Sequence, residues 1–266
     1  MHPLATATPV ASSVLHRHAG RWLLALAVTL ALALGLHGPI AQWADYHAFA
    51  DARRWLGIPN AANVLSNLPF LLIGMWAWRA LADASPLQRR VWRAFAVALA
   101  CTALGSALYH WAPANGALVF DRLPIACACA LLVCALLGER LDPRWHDTRA
   151  LGAAALLGAA SVGWWWLGER AGAGDLRPYL FVQFLPMLLV PAALSMKLPR
   201  ARGALADRDW WIVLGLYAAA KLAELGDAAV QHALGAVSGH TLKHLLAAAG
   251  ALWLLRAAAR AADQLR

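Results

Sequence analysis

Long apolar runs separated by short polar linkers dominate this chain. An α-helix needs about 20 apolar residues to cross the hydrocarbon core of a bilayer, and eight runs come close to that length. We predict a transmembrane helix for each: residues 22–40, 62–81, 91–110, 118–138, 150–167, 178–196, 210–229 and 239–255. The first run follows Arg17 and Arg21 and could belong to a signal peptide, but its length and the missing A-x-A site favour a retained helix. The pattern therefore predicts an all-α, polytopic membrane helical bundle.

The basic residues of the linkers alternate along the chain. The rich linkers and termini contain Arg17 and Arg21, then Arg89 and Arg90, then Arg140, Arg144 and Arg149, then Lys197, Arg200, Arg202 and Arg208, and finally Arg256, Arg260 and Arg266. The linkers between them carry two Arg at most. Cytoplasmic loops of membrane proteins carry an excess of Lys and Arg. The alternation therefore predicts an even number of spans with both termini in the cytoplasm.

Composition supports the membrane prediction and limits the functions to consider. Hydrophobic residues make up 61% of the 266 residues and charged residues only 14%, whereas soluble domains have about 25% charged residues. The formal net charge is +9, but the basic residues sit in short clusters between apolar runs. A nucleic-acid-binding protein would gather them on one soluble face, so we expect membrane lipids and no nucleic acid as partners. The four cysteines lie inside apolar runs without zinc-knuckle or disulfide spacing.

Polar residues inside a bilayer are costly and indicate function. Ser106 and His110 share one helix face at the end of the third run, and His240 and His244 share one at the start of the last. A helical H-x-x-x-H pair is a familiar zinc-binding arrangement, although interfacial histidine pairs without metal are common. Asp121 opens the fourth run and is either a helix N-cap or a functional carboxylate. The predicted topology places His110, Asp121, His240 and His244 at the same outer depth, where the three histidines would form a catalytic zinc site with a free fourth position.

Two other polar groups are open to more than one interpretation. The stretch 45–67 is either a solvated loop leading into Asn/Ser helix packing or part of the site. Lys221, Glu224 and Asp227 share a face of the seventh run. They form either an ion-pair ladder or the lining of a cavity, and we favour a structural role.

The order of these motifs resembles the alkaline ceramidase family, part of a superfamily of seven-helix membrane hydrolases that includes the adiponectin receptors. G-S-x-x-x-H precedes D-x-L-P, which lies eleven residues after the histidine, and H-x-x-x-H opens the last helix. The matching residues are Ser106, His110, Asp121, Leu123, Pro124, His240 and His244, and residues 63–67 look like the family's N-x-x-S-N. The resemblance implies an N-terminal cytoplasmic tail with an extra transmembrane helix in residues 1–44, and a seven-helix domain in residues 45–266.

The resemblance also implies a function. His110, His240 and His244 would be zinc ligands, Asp121 would engage the attacking water, and Ser106 would lie beside the metal and donate to the oxyanion. The activity would be zinc-dependent hydrolysis of the amide bond of a ceramide-like N-acyl lipid, with release of a fatty acid. The Ala-, Arg- and Leu-rich composition suggests a bacterial inner membrane, with the site near the periplasmic face. A transporter using Lys221, Glu224 and Asp227, or a receptor-like protein that keeps the fold without turnover, remains the alternative.

The chain departs from the family pattern at two places. The family's D-E-L-P-M is replaced by residues 121–125, in which Arg122 stands where the family has Glu. Animal members also carry an acidic calcium site, for which this chain offers Asp45, Asp51 and Asn60 as a candidate second cation site. Calcium prefers six to eight oxygen ligands. These three residues alone therefore do not predict Ca²⁺.

Overall fold

The protein is a bundle of α-helices, as predicted. The computed structural model describes residues 18–263. Residues 1–17 of the predicted tail, which include Arg17, lie outside that range, as does Arg266. The helices are α1 (Ala19–His37), α2 (Ala61–Leu65), α3 (Leu68–Ala80), α4 (Pro86–Trp111), α5 (Asn115–Arg140), α6 (Thr148–Arg170), α7 (Arg177–Ser195), α8 (Asp207–Leu225), α9 (Asp227–Leu234) and α10 (Gly239–Asp263), with 3₁₀ turns at Ala44–His47 and Pro143–His146. Within residues 18–263 there is no strand, only an isolated bridge between Trp55 and Ile58.

Seven helical segments of the described chain are long and apolar enough to cross a membrane. They are Ala19–His37, Ala61–Ala80, Pro86–Trp111, Asn115–Arg140, Thr148–Arg170, Arg177–Ser195 and Gly239–Asp263. Seven of the eight predicted runs are therefore confirmed as apolar helices, and the chain is consistent with an integral, multi-pass membrane protein. α2 and α3 together form one of these segments.

The remaining predicted run, 210–229, is helical but differs from the prediction in two ways. α8 is too charged to count as a span by composition, and it ends at Leu225, after which Gly226 separates it from α9. The predicted boundary at residue 229 is therefore wrong. Directly after Gly226, the carboxylate of Asp227 accepts hydrogen bonds from the backbone N–H groups of Ala50 and His240, which anchor the start of α9.

α8 nevertheless crosses the bundle beside α10. Near its start, Asp209 Oδ1 accepts from Trp253 Nε1 at 3.1 Å, and near its end Glu224 Oε1 lies 2.9 Å from Lys243 Nζ. The two helices are thus antiparallel over nearly the whole of α8. Its 19 residues give a length of about 28 Å, close to the roughly 30 Å hydrocarbon core. Asp209 and Glu224 are accommodated because they bind α10, while Asp207 pairs with Arg140 of α5.

The linkers rich in Lys and Arg lie together at one end of the bundle, which we call the basic end. Arg140 of α5 donates there to the carbonyls of Leu198 and Leu205, at 3.3 and 3.2 Å, and Gln88 donates to the carbonyl of Gly203. The opposite end carries residues 38–60, which we call the first linker. The alternation of basic residues therefore reflects the two ends of the bundle. The assignment of the basic end to the cytoplasm stays a prediction.

α1 lies at the periphery. Its main neighbour is α7, and its buried residues are Ala19 and Leu23, both near its start. The chain after α1 is tied to the start of α7, where Leu176 donates to the carbonyl of Ile40 at 2.8 Å. This arrangement agrees with an extra helix outside the remaining bundle, although the division at residue 44 stays a prediction.

Candidate metal centre

Three histidines from two distant helices meet at the end of the bundle opposite the basic end. His110 lies in the last turns of α4, and His240 and His244 lie in the first turns of α10. One ligand nitrogen from each lies within 4.8 Å of the other two. The side chains are 1%, 7% and 5% exposed, respectively. The structure thus brings together the trio that the sequence predicted, as a buried group able to bind a metal ion.

The spacing of His110 and His240 fits a small tetrahedral metal. Zinc bonds nitrogen at about 2.0–2.1 Å, which places two tetrahedral ligands about 3.3–3.4 Å apart. The Nε2 atoms of His110 and His240 are separated by 3.3 Å. A three-histidine set with one free position is a known catalytic zinc arrangement. The three imidazoles and the distance within this one pair therefore fit zinc, while the identity of the metal remains a proposal.

The tautomer of His244 is set by its neighbours. Ser66 Oγ donates its only proton to the carbonyl of Asn63 at 3.1 Å and lies 2.7 Å from Nδ1 of His244. Ser66 can therefore only accept from His244, so Nδ1 carries the hydrogen and the lone pair of Nε2 is free for a metal. Such outer hydrogen bonds orient metal-binding histidines. The sequence analysis found Ser66 only as part of the N-x-x-S-N pattern.

Ser106 and Asp121 lie together one helical turn from His110. Gly105 allows this, because a Cβ there would overlap the carbonyl oxygen of Phe120 and would come 3.3 Å from the backbone nitrogen of Asp121. α4 and α5 therefore touch through their backbones, and the Ser106 side chain is close enough to the Asp121 carboxyl to interact with it. Both residues are buried. The helix-cap interpretation of Asp121 is wrong, because α5 begins at Asn115 with Ala114 as its N-cap and Asp121 lies inside the helix. The carboxylate is not one of the three metal-binding groups.

A second close approach positions the start of α10. A Cβ on Gly239 would overlap the carbonyl oxygen of Ala223 and would lie 2.7 Å from Cα of Asp227. The turn between α8 and α9 can therefore press against α10. As a result, Asp227 Oδ1 accepts from the backbone N–H of His240 at 2.7 Å. Asp227, predicted to share a polar face with Lys221 and Glu224, instead anchors the helix that carries two of the histidines.

The first linker covers the trio. The ring of Phe49 lies 4.7 Å from the rings of both His110 and His240, centre to centre. His47 is 2.9 Å from Tyr109 Oη, and Asn60 Nδ2 donates to the carbonyl of His110 at 2.8 Å. Phe49 was not predicted as a site residue, and no local motif marks it. The cover shields the three imidazoles from water.

Lys243 is a neighbour of the trio that the sequence analysis did not assign. Its Nζ lies 3.0 Å from Nε2 of His240 and 2.9 Å from Oε1 of Glu224, which also pairs with Lys221. The predicted ion pair between Lys221 and Glu224 is therefore present, but the next partner of Glu224 is Lys243 of α10 and not Asp227. Because each of these charges has a partner, the structural interpretation is favoured over an open ion pathway.

The candidate second cation site has other partners. Arg53 donates to both carboxylate oxygens of Asp51, at 2.8 and 2.7 Å, and this hydrogen-bonded guanidinium lowers the pKa of Asp51 below its ordinary value. Arg53 also donates to the carbonyl of Ala236 at 2.7 Å. The Asn60 amide is directed at His110, and Asp45 lies in the 3₁₀ turn. The guanidinium of Arg53 thus takes up both carboxylate oxygens of Asp51 that a cation would need. The calcium hypothesis stays a prediction without structural support.

Comparison with known proteins adds no family assignment. No protein-family model matches the chain, and no curated protein matches it. The resemblance to alkaline ceramidases therefore stays a prediction that depends on the motif residues. What the geometry adds is a buried group of three histidines with a carboxylate and a hydroxyl beside it.

Proposed function

We propose that this chain is a zinc-dependent membrane hydrolase that cleaves the amide bond of a ceramide-like N-acyl lipid. The observation that carries the proposal is the convergence of His110, His240 and His244 beside the Ser106–Asp121 pair. These residues come from three helices and meet in one buried place. The motif resemblance supports the choice of amide hydrolysis.

The depth of the site supports a lipid substrate. His110 lies at the end of α4 and His240 at the start of α10, so the trio is close to one end of the membrane-crossing helices. An N-acyl lipid carries its amide bond between the acyl chain and the head group. Such a bond would reach the trio from the bilayer, with the acyl chain between helices. Phe49 would exclude bulk water above it.

Each residue has a role in this mechanism. The three histidines would hold the zinc ion, which when bound would lower the pKa of a water toward about 7 and polarise the substrate carbonyl. Asp121 accepts a proton from the attacking water and passes it to the leaving amine. Ser106 lies against Asp121 and would donate a hydrogen bond to the oxyanion that forms on the substrate carbonyl.

Removal of one histidine tests the proposal. Purified His110→Ala protein is expected to lose stoichiometric zinc, measured by elemental analysis, together with fatty-acid release from N-acyl lipids. His232→Ala is the matched control, because His232 is exposed and lies outside the trio. A His110→Ala protein with full amidase activity and its zinc would refute the proposal. Zinc without hydrolysis of any lipid amide or ester would indicate a receptor-like protein, and zinc-independent flux in liposomes would indicate a transporter.

A further inference from the structure

Arg122 is a buried cation without an acidic partner. Its side chain follows Asp121 in α5 and is 3% exposed. Nη2 donates to Oε1 of Gln42 at 2.6 Å, but Nε and Nη1 are buried and have no acceptor. Among residues 18–263, no carboxylate forms an ion pair with it. A buried charge is normally paired, so the free donors of Arg122 require an explanation.

The surroundings of Arg122 are aromatic. The rings of Trp165, Tyr179 and Tyr46 lie 4.3, 5.0 and 5.2 Å from its Cζ, respectively. Cation–π attraction offsets part of the cost of burying the charge. A guanidinium has five N–H donors, all in its plane. The aromatic faces provide no acceptor for these donors. The rings therefore form a box that holds the cation while leaving Nε and Nη1 without an acceptor.

The box is next to the candidate metal centre. Asp121, the adjacent residue, lies against Ser106 one turn from His110. Gln42 and Tyr46 belong to the first linker, which also places Phe49 over the trio. A ligand held by Arg122 would therefore lie near Asp121 and be covered by the first linker, which also covers the trio.

We propose that Arg122 binds a carboxylate on the head group of the lipid substrate, so that this protein acts on N-acyl lipids with an acidic head group. The inference rests on the proposed function and narrows its substrate class. A carboxylate matches the planar guanidinium fork through two parallel hydrogen bonds. A neutral head group would leave the buried charge unpaired.

Two matched lipids test the inference. N-oleoylglycine and N-oleoylethanolamine share the acyl chain and the amide bond and differ in a terminal carboxylate or hydroxyl. Equilibrium binding and fatty-acid release are measured in parallel on the purified full-length protein. We expect the acidic lipid to bind about tenfold more tightly, or better, as for a charge-assisted pair. Arg122→Gln should abolish that preference. Arg93→Gln is the control, since Arg93 forms a similar cation–π contact with Trp78 away from the site.

A second variant covers the case in which Arg122→Gln does not fold. Gln42→Glu keeps the size of the side chain and places a carboxylate against Nη2 of Arg122. This internal anion should remove the preference for the acidic lipid while the protein stays folded. Retention of the full preference in a folded Gln42→Glu protein would overturn the inference.

The remaining outcomes separate the two proposals. Equal binding of both lipids by the wild-type protein overturns the acidic head group, even if both are hydrolysed and the hydrolase proposal stands. An Arg122-dependent preference without any hydrolysis supports the binding site and contradicts the hydrolase. Oleate is the third probe. If oleate binds in an Arg122-dependent way and the protein does not prefer either amide, the site binds the released fatty acid. That result would overturn the head-group assignment.

Discussion

The hydrogen bond between Ser66 and His244 provides the sharpest test of the metal centre. Ser66 Oγ lies 2.7 Å from Nδ1 of His244 and is itself buried, with its proton directed at the carbonyl of Asn63. Ser66→Ala removes the acceptor that keeps the hydrogen on Nδ1. The imidazole can then rotate, and its Nε2 lone pair is no longer held toward His110 and His240.

Loss of such an outer hydrogen bond costs about 10- to 100-fold in metal affinity, which corresponds to about 1.4–2.7 kcal/mol. We therefore expect Ser66→Ala to bind zinc about 10- to 100-fold more weakly, measured by competition with a metallochromic chelator on the purified protein. Ser66→Thr keeps a hydroxyl acceptor and should restore most of the affinity.

A buried serine elsewhere in the bundle serves as the control. Ser161 in α6 is also buried and donates to the carbonyl of Gly158 at 2.7 Å, but it has no contact with a histidine of the trio. Ser161→Ala should leave zinc affinity unchanged. Equal zinc affinity in wild-type and Ser66→Ala proteins would refute the tautomer argument, as would an equal loss in Ser161→Ala.

Two further predictions concern the packing around the site. Gly105→Ala should lower the thermal unfolding midpoint and reduce fatty-acid release at least about tenfold, because the added methyl overlaps the carbonyl of Phe120. The control Gly152→Ala should have neither effect, since nothing lies within 4 Å of the added methyl. Wild-type behaviour of Gly105→Ala would contradict the close approach. The pKa of Asp51 is lowered by Arg53, so its stabilising contribution is complete above the unfolded value of about 3.9 and is lost as pH falls through the lowered value. Arg53→Gln should therefore reduce the unfolding midpoint at pH 6, and its difference from wild type should shrink as the pH falls below about 3.9. A difference that stays constant as the pH falls would count against the ion pair.

The sequence by itself determined the helices and their order. Apolar runs of transmembrane length have few alternatives to a helix in a bilayer, because every backbone polar group must be satisfied within the segment. Linker charge then divided the linkers between two ends. The same two facts placed His110, Asp121 and the pair His240 and His244 at one level, so the trio could be predicted before any distance was known. The seventh run was predicted too long, since hydropathy does not reveal that Asp227 is anchored by the first linker and by α10.

Only the tertiary structure decided the lateral contacts. Ser66 binds His244 from a position 178 residues away, Phe49 reaches the trio from the first linker, and Lys243 turns to His240 and Glu224. The depth of a residue follows from its distance to a helix end along one chain. Its neighbours depend instead on the rotation of each helix and on close approaches such as those at Gly105 and Gly239. Those rotations are set by packing between segments far apart in sequence, which no local pattern encodes.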